Sequence, residues 1–331
     1  MIQPTSDGIT ASPGSASPGP ANPGPGLPAV LIEAFGAGPC CGNGATVVRL
    51  EAPARAPWMG AIAASLRQSE TAFVLPVPGS RTWLLRWFTP STEVRLCGHA
   101  TLGALLALSH WGDLQPGEAL HFRTRSGVLP VRLLEPGRGQ LDLPTGDLGP
   151  TTVPEDLGRL LQQRLGHGPE AYWTSALGYR VALMAAEAPL AAMACLAQEL
   201  QAPDREGLVL MQPVGRRFPP LVAGEPADYQ LRFFAPGLGI DEDPVTGSAH
   251  ALVAPYWQKR LKRPRVIGWQ CSDRPGGMVC ESAPSGMIRL TGTGHLLWDG
   301  TLNASVPPWP EGLRSRDHNG EVAWQHWLAI D

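Results

Sequence analysis

Two stretches of the sequence repeat one another and carry several of its most reactive side chains. "LRWFTPSTEVRLCGHATLGALLA" (85–107) matches "LRFFAPGLGIDEDPVTGSAHALVA" (231–254) once three residues are inserted. Each copy reads as a strand, a proline-terminated loop, a glycine and an apolar helix. The first copy sets Cys97, Gly98 and His99 at its helix start, and the second sets Gly247 and Ser248 there with Asp243 just ahead. A helix start presents unpaired backbone N–H groups and the positive end of the macrodipole. The chemistry this spacing favours is therefore the binding of an anion, in the first place a carboxylate, between two facing helix starts. "DED" (241–243) is open to two other readings, a metal site or a solvated acidic loop. Metal is discounted, because no His or Cys ligand set accompanies the run and oxygen-only sites usually need more carboxylates at regular spacing. A solvated loop suits Asp241 and Glu242 better than Asp243.

The elements that must position these residues follow from the apolar pattern. "AVLIEAF" (29–35) and "ATVVRLE" read as strands around a Gly-rich turn, "APWMGAIAASLRQ" as a helix with Trp58, Ile62 and Leu66 at fourfold spacing, "SETAFVLPV" and "TWLLRWFTP" as further strands, and "HATLGALLALSHW" as an apolar helix. This order predicts an α+β domain closing near "GQLDLPTGDL" (139–148), after which the pattern starts again. The expected organisation is a Pro/Gly-rich tail over 1–28 that cannot repay the entropy of ordering, two similar domains over 29–148 and 149–305 facing each other across a cleft, and a Trp-containing extension over 306–331. Its tryptophans Trp309, Trp324 and Trp327 are suited to covering an exposed sheet or meeting a partner.

Composition narrows the function classes. With 331 residues and 43% hydrophobic content, two ordinary cores are the better expectation than one. A formal charge of −3 with scattered basic residues points away from nucleic acid and from a polybasic membrane surface. The N-terminus lacks the charged region of a secretory signal, no uncharged apolar run reaches the ~18 residues of a membrane span, and the six cysteines show no disulfide or zinc spacing. A soluble, cytoplasmic protein with reduced thiols and a small-molecule substrate is the expectation.

Four stretches in order, "SETAFV", "RWFTPSTEVRLCGHATLGA", "RFFAPGLGIDEDPVTGSAHALVAPYW" and "WQCSDRPGG…TLNA", resemble the phenazine-biosynthesis PhzF-like family, including the phenazine-biosynthesis-like proteins of animals. The resemblance implies the diaminopimelate-epimerase-like fold, two pseudosymmetric domains each with a β-barrel-like sheet around a central helix, and it is compatible with a homodimer. Glu70 then matches the family's proton-shuttling carboxylate. By residue type alone it would read as a glutamate on a solvated strand edge. An apolar cleft can raise a carboxyl pKa by ~3–5 units, into the range a proton shuttle needs. His99 matches the second active-site residue, hydrogen-bonding substrate and assisting proton movement. Asp243 is implied to orient the substrate's polar group and Ser248 to hydrogen-bond it, while the amides after Gly98 and Gly247 hold the carboxylate or the developing enolate-like charge.

"PCCGNGATVV" (39–48) imitates the thiol motif of cofactor-free amino-acid epimerases. Those enzymes keep one cysteine at each helix start, around Cys97 and Pro244 here, so Cys41 is expected to be a decoy in the turn between the first two strands. Cys97 is either a small apolar filler or a thiol whose pKa the helix start depresses. Arg67-Gln68, Arg95, Pro275 and His295 depart from the family pattern and bear on substrate fit. No cofactor is expected: the only lysines, Lys259 and Lys262, lie in a basic run unsuited to pyridoxal phosphate, and no dinucleotide fingerprint, nucleophile elbow or P-loop is present. Two functions remain open, a cofactor-independent isomerase or epimerase of a small carboxylate and a retired enzyme fold acting as a binding or regulatory partner.

Overall fold

The computed structural model describes residues 26–215, 217–307 and 327–328. The first half contains β1 (Leu27–Ala34), β2 (Asn43–Arg49), α1 (Ala56–Leu66), β3 (Glu70–Pro76), β4 (Thr82–Phe88), β5 (Glu93–Val94), α2 (Gly98–His110), β6 (Ala119–Thr124), β7 (Gly127–Glu135) and β8 (Arg138–Pro144). The second contains β9 (Leu148–Pro150), α3 (Glu155–Leu165), β10 (Ala171–Ser175), β11 (Arg180–Leu183), β12 (Leu208–Pro213), the small hairpin β13 (Leu221–Val222) and β14 (Glu225–Pro226), β15 (Tyr229–Ala235), β16 (Ile240–Asp243), α4 (Gly247–Leu261), β17 (Arg265–Gln270), β18 (Gly276–Ser282) and β19 (Met287–Leu302).

The two apolar helices decide the architecture. Every residue of α2 from Gly98 to Leu108 is buried, and α4 buries Ala249 to Ala254 and Trp257. A helix that is apolar all round must be enclosed. Around α2 the strands pair in the order β1, β2, β3, β4, β6, β7, β8, β19 and back to β1, a closed barrel. Around α4, β10 to β12, β15, β17 and β18 repeat the scheme and return to the same β19. The long strand β19 thus closes the barrel of the first half, although it comes from the end of the second. This is the two-domain α+β architecture expected, with β8 and β19 joining the halves.

The repeat extends to paired charges. Arg86 of β4 meets Glu93 through two bonds of 2.7 and 2.6 Å, and Arg232 of β15 meets Glu242 through two of 2.7 and 2.5 Å. Each guanidinium also lies over a phenylalanine two residues on, Phe88 or Phe234. Glu242 is therefore not the solvated residue anticipated, because a buried arginine demands a bidentate carboxylate. Asp241 is exposed, as expected. The tail boundary also moves: β1 begins at Leu27, since Leu27 and Pro28 pair with Leu302 and Thr301. The remainder of the proposed tail lies outside the described residues, as do Trp309 and Trp324. Trp327 is buried against α1, β3 and β4, covering a sheet as one of the two readings had it.

Candidate active site

The two helix starts meet back to back. A methyl group on Gly98 would lie 3.1 Å from Cα of Gly247, and one on Gly247 would lie 3.2 Å from Cα of Gly98, so glycine at both positions permits the approach. Neither cap side chain, Cys97 or Thr246, bonds the amides of its own helix, and neither first turn carries an acidic residue. Beside this junction opens a cleft of about 390 Å³ whose lining includes Glu70, Gly98, His99, Asp243, Gly247 and Ser248, all six residues singled out in the sequence. Its remaining walls are largely apolar, with Val94 and Leu96 from one half and Phe233, Leu238 and Ile240 from the other. No Lys or Arg is among the described lining residues, which leaves the helix amides and His99 as its positive elements.

Glu70 opens β3 and is 7% exposed. Its Oε2 lies 2.9 Å from His99 Nε2, at ion-pair distance. His99 Nδ1 is 2.9 Å from Asn43 Nδ2, and the same amide nitrogen donates to Asp243 Oδ1 at 2.5 Å and to the carbonyl of Val245 at 3.2 Å. Thr246 donates its hydroxyl to Asp243 Oδ2 at 2.5 Å, and Gln270 donates to the Asp243 carbonyl. A polar chain thus runs Glu70, His99, Asn43, Asp243 from one half to the other. As placed, Asn43 donates to a neutral imidazole and an ionised Asp243. Turned over, its oxygen would accept from an imidazolium and a protonated Asp243, but it would face the Val245 carbonyl and leave its N–H groups where no partner stands, which favours the donor orientation.

Burial pushes the Asp243 carboxyl up to about 6, with Glu70 adding to the rise while His99, Thr246 and Asn43 oppose it. Asp243 is a cleft carboxyl that burial brings towards neutrality. Burial disfavours charge on His99, but the facing Glu70 carboxylate favours the imidazolium and its pKa is raised above 6.5. Cys97 is buried and its thiol is pushed up to about 11 by desolvation, reinforced by Glu70. The helix start does not make it a thiolate, which favours the filler reading. Cys41 is not among the cleft residues. Its neighbour Asn43 supplies the contribution of that turn to the site, a role sequence reasoning missed although the Gly-Asn-Gly spelling marked the position. A metal-capable set does exist among the described residues, apart from "DED": the ligand atoms of Glu70, Cys97 and His99 lie within 4.8 Å of one another. Cys97 and His99 share the start of α2, and β3 brings Glu70 to them from a separation in sequence at which no spacing rule applies.

The two halves are not chemically equivalent at the cleft. Thr71 pairs with Phe88 and Leu208 with Phe234, so by the repeat the counterpart of Glu70 is Gly207. A methyl group there would lie 2.8 Å from the ring of Tyr179. Tyr179 fills that space, 3.1 Å from the hydroxyl of Ser248, which is the counterpart of His99. Burial raises its phenol pKa, so that Glu70 and His99 in one half have two neutral hydroxyls, Tyr179 and Ser248, as their counterparts in the other, where Asp243 is the carboxyl. Tyr179 lies outside the repeated stretches, and no sequence signal marked it.

Known proteins agree with this architecture. The family model described as phenazine biosynthesis-like protein matches residues 32–168 and 169–296. An uncharacterized isomerase of Pseudomonas aeruginosa is 40% identical over 252 residues, 76% of this chain and 88% of that protein. The human phenazine biosynthesis-like domain-containing protein is 32% identical over 291 residues, covering 84% and 99%. Among solved structures, a PhzF-family phenazine biosynthesis protein of Enterococcus faecalis superposes with a TM-score of 0.72 at 30% identity, covering 83% of this chain and 98% of the other. With sequence, motif order and paired barrels in agreement, the chain belongs to the phenazine biosynthesis-like (PhzF) family and has its two-domain, diaminopimelate-epimerase-like fold.

Proposed function

We propose that the protein is a cofactor-independent isomerase or epimerase of a small carboxylate, in which Glu70 takes a proton from carbon and returns it. The observation that carries this reading is a buried glutamate lining the cleft, its carboxylate 2.9 Å from the His99 imidazole, beside two uncapped helix starts. A pure binding site has no need of such a group, whose desolvation is costly. The substrate carboxylate sits on the amides that follow Gly98 and Gly247, where negative charge spreading from the reacting carbon is stabilised. Glu70 abstracts the proton, and the imidazole of His99 at 2.9 Å steadies the carboxylate and assists the transfer. Asp243, held by Asn43 and Thr246, orients a polar substituent, and Ser248 with Tyr179 bounds the opposite side.

The reading is tested by incubating the protein with a panel of small carboxylates in D2O and following exchange at carbon by NMR. Exchange that depends on Glu70 supports it. Binding of the same carboxylates with no exchange for any of them would favour the alternative of a retired fold serving as a binding or regulatory partner.

A further inference from the structure

The charge pair that repeats in the two halves is completed in two different ways. In the second half the remaining Nη1 of Arg232 donates to the carbonyls of Leu190 and Met193, in the turn that leads from β11 towards β12. In the first half α1 occupies the corresponding segment, and Nη1 of Arg86 donates instead to the carbonyl of Trp327, 241 residues away, at 2.8 Å. The Trp327 ring is 1% exposed, its indole N–H donates to the carbonyl of Ala54 at 2.8 Å, and the Arg86 guanidinium lies 5.4 Å from its ring centre. Met59, Phe73 and Phe88 share its apolar cluster. The C-terminal extension thus supplies to one half what an internal turn supplies to the other.

We propose that Trp327 is a positioning residue for the cleft, acting through Arg86 and Glu93. Glu93 lies between Thr92 and Val94, both of which line the cleft, as do Thr89, Ser91 and Leu96 on the same connection. That connection ends at Cys97, the cap of α2, directly before the amides proposed to hold the carboxylate. The bidentate grip of Arg86, joined by Arg125 on the same carboxylate at 2.9 Å, holds Glu93 in place, and Trp327 helps to place Arg86. Docking of Trp327 therefore pre-orders the wall and the helix start. The inference rests on the cleft being a carboxylate site only for its ligand readout.

The test compares the full chain, a chain ending at residue 307, and full-length Trp327→Ala and Trp327→Phe. Benzoate, which has no exchangeable carbon position under these conditions, serves as the binding probe by calorimetry, and amide hydrogen exchange over residues 89–99 reports the wall directly. Truncation removes the carbonyl that Arg86 donates to, and should weaken benzoate about tenfold, the scale of one charge-assisted hydrogen bond; Trp327→Ala keeps that carbonyl but removes the ring and indole N–H that seat it, and should weaken benzoate in the same direction, both changes speeding exchange over 89–99. Trp327→Phe keeps a ring over Arg86 and the backbone carbonyl, and should stay within about twofold. A synthetic peptide of residues 317–331 added to the truncated chain should restore both readouts. Unchanged benzoate affinity and unchanged exchange in the truncated chain would overturn the proposal. So would a peptide that restores melting temperature without restoring the wall, since that marks a merely structural role. Should the full chain not bind benzoate at all, the carboxylate reading falls, while hydrogen exchange over 89–99 still decides the coupling.

Discussion

Replacing Glu70 by Gln separates chemistry from binding at one residue whose shape is nearly kept. The amide preserves volume and still lines the cleft beside His99, but it can neither accept nor return a proton. A positioned general base contributes ~10²–10⁴-fold, or ~3–5 kcal/mol of barrier. Carbon–hydrogen exchange in D2O should therefore fall by ~10²-fold or more. Carboxylate affinity should hold within about twofold, since the helix amides that carry it are untouched. The structure adds a second signature. Glu70 is one of the causes that raise the Asp243 pKa towards 6 and one of those that raise His99 above 6.5. Its neutralisation should lower both, moving any pH profile governed by either group towards acid, a shift readable by NMR titration of the His99 ring. An E70Q protein that exchanges as fast as the parent would refute the mechanism and promote the binding-partner reading.

Four further outcomes are expected. Cys41→Ala should leave exchange nearly intact and Cys97→Ala should cost little more. Thiol alkylation that abolishes turnover, with substrate protecting Cys41, would refute this. Gly98→Ala forces a methyl to 3.1 Å from the Gly247 backbone and should destabilise by ~1–3 kcal/mol, as overpacking does, measured by urea unfolding alongside weaker carboxylate binding. His99→Ala should reduce both exchange and affinity, unlike E70Q, in the same NMR and calorimetric assays. His250 is fully buried, bonded at Nδ1 to Tyr229, and desolvation lowers its pKa to about 3. Below pH 6.5 the unfolded chain binds a proton there that the folded chain refuses, so stability falls with pH by ~1.4 kcal/mol per unit, ~2 kcal/mol at pH 5. Asp243 opposes this between about 3.8 and 6, because its folded form keeps the proton longer. Comparing urea unfolding of the parent and His250→Gln at pH 7.5 and 5.0 isolates the histidine, and parallel stability profiles would contradict it.

Much of the site was legible along the chain because it is built from a local motif used twice. A glycine opening an apolar helix is a short-range pattern, so Gly98, His99, Gly247 and Ser248 declared themselves, and the two enclosed helices with their strands followed from apolar runs that have no other way to be buried. Glu70 became recognisable through the family spelling around it. What the chain order could not convey was contact between distant segments. Asn43 bridges His99 and Asp243 across 56 and 200 residues, Cys97 and Glu70 join His99 in a metal-capable corner, and β19 closes a barrel begun at Leu27. The chemical inequality of the halves depends on a ring from outside the repeat, Tyr179, occupying the space that a glycine at 207 leaves open. Glu242 and Trp327 were misread or undecided for the same reason. Periodicity records which face of an element is apolar, but the partner of a buried charge is chosen by the packing of barrels, where desolvation makes any unpaired arginine prohibitive and so draws in carbonyls and carboxylates from wherever the chain can bring them.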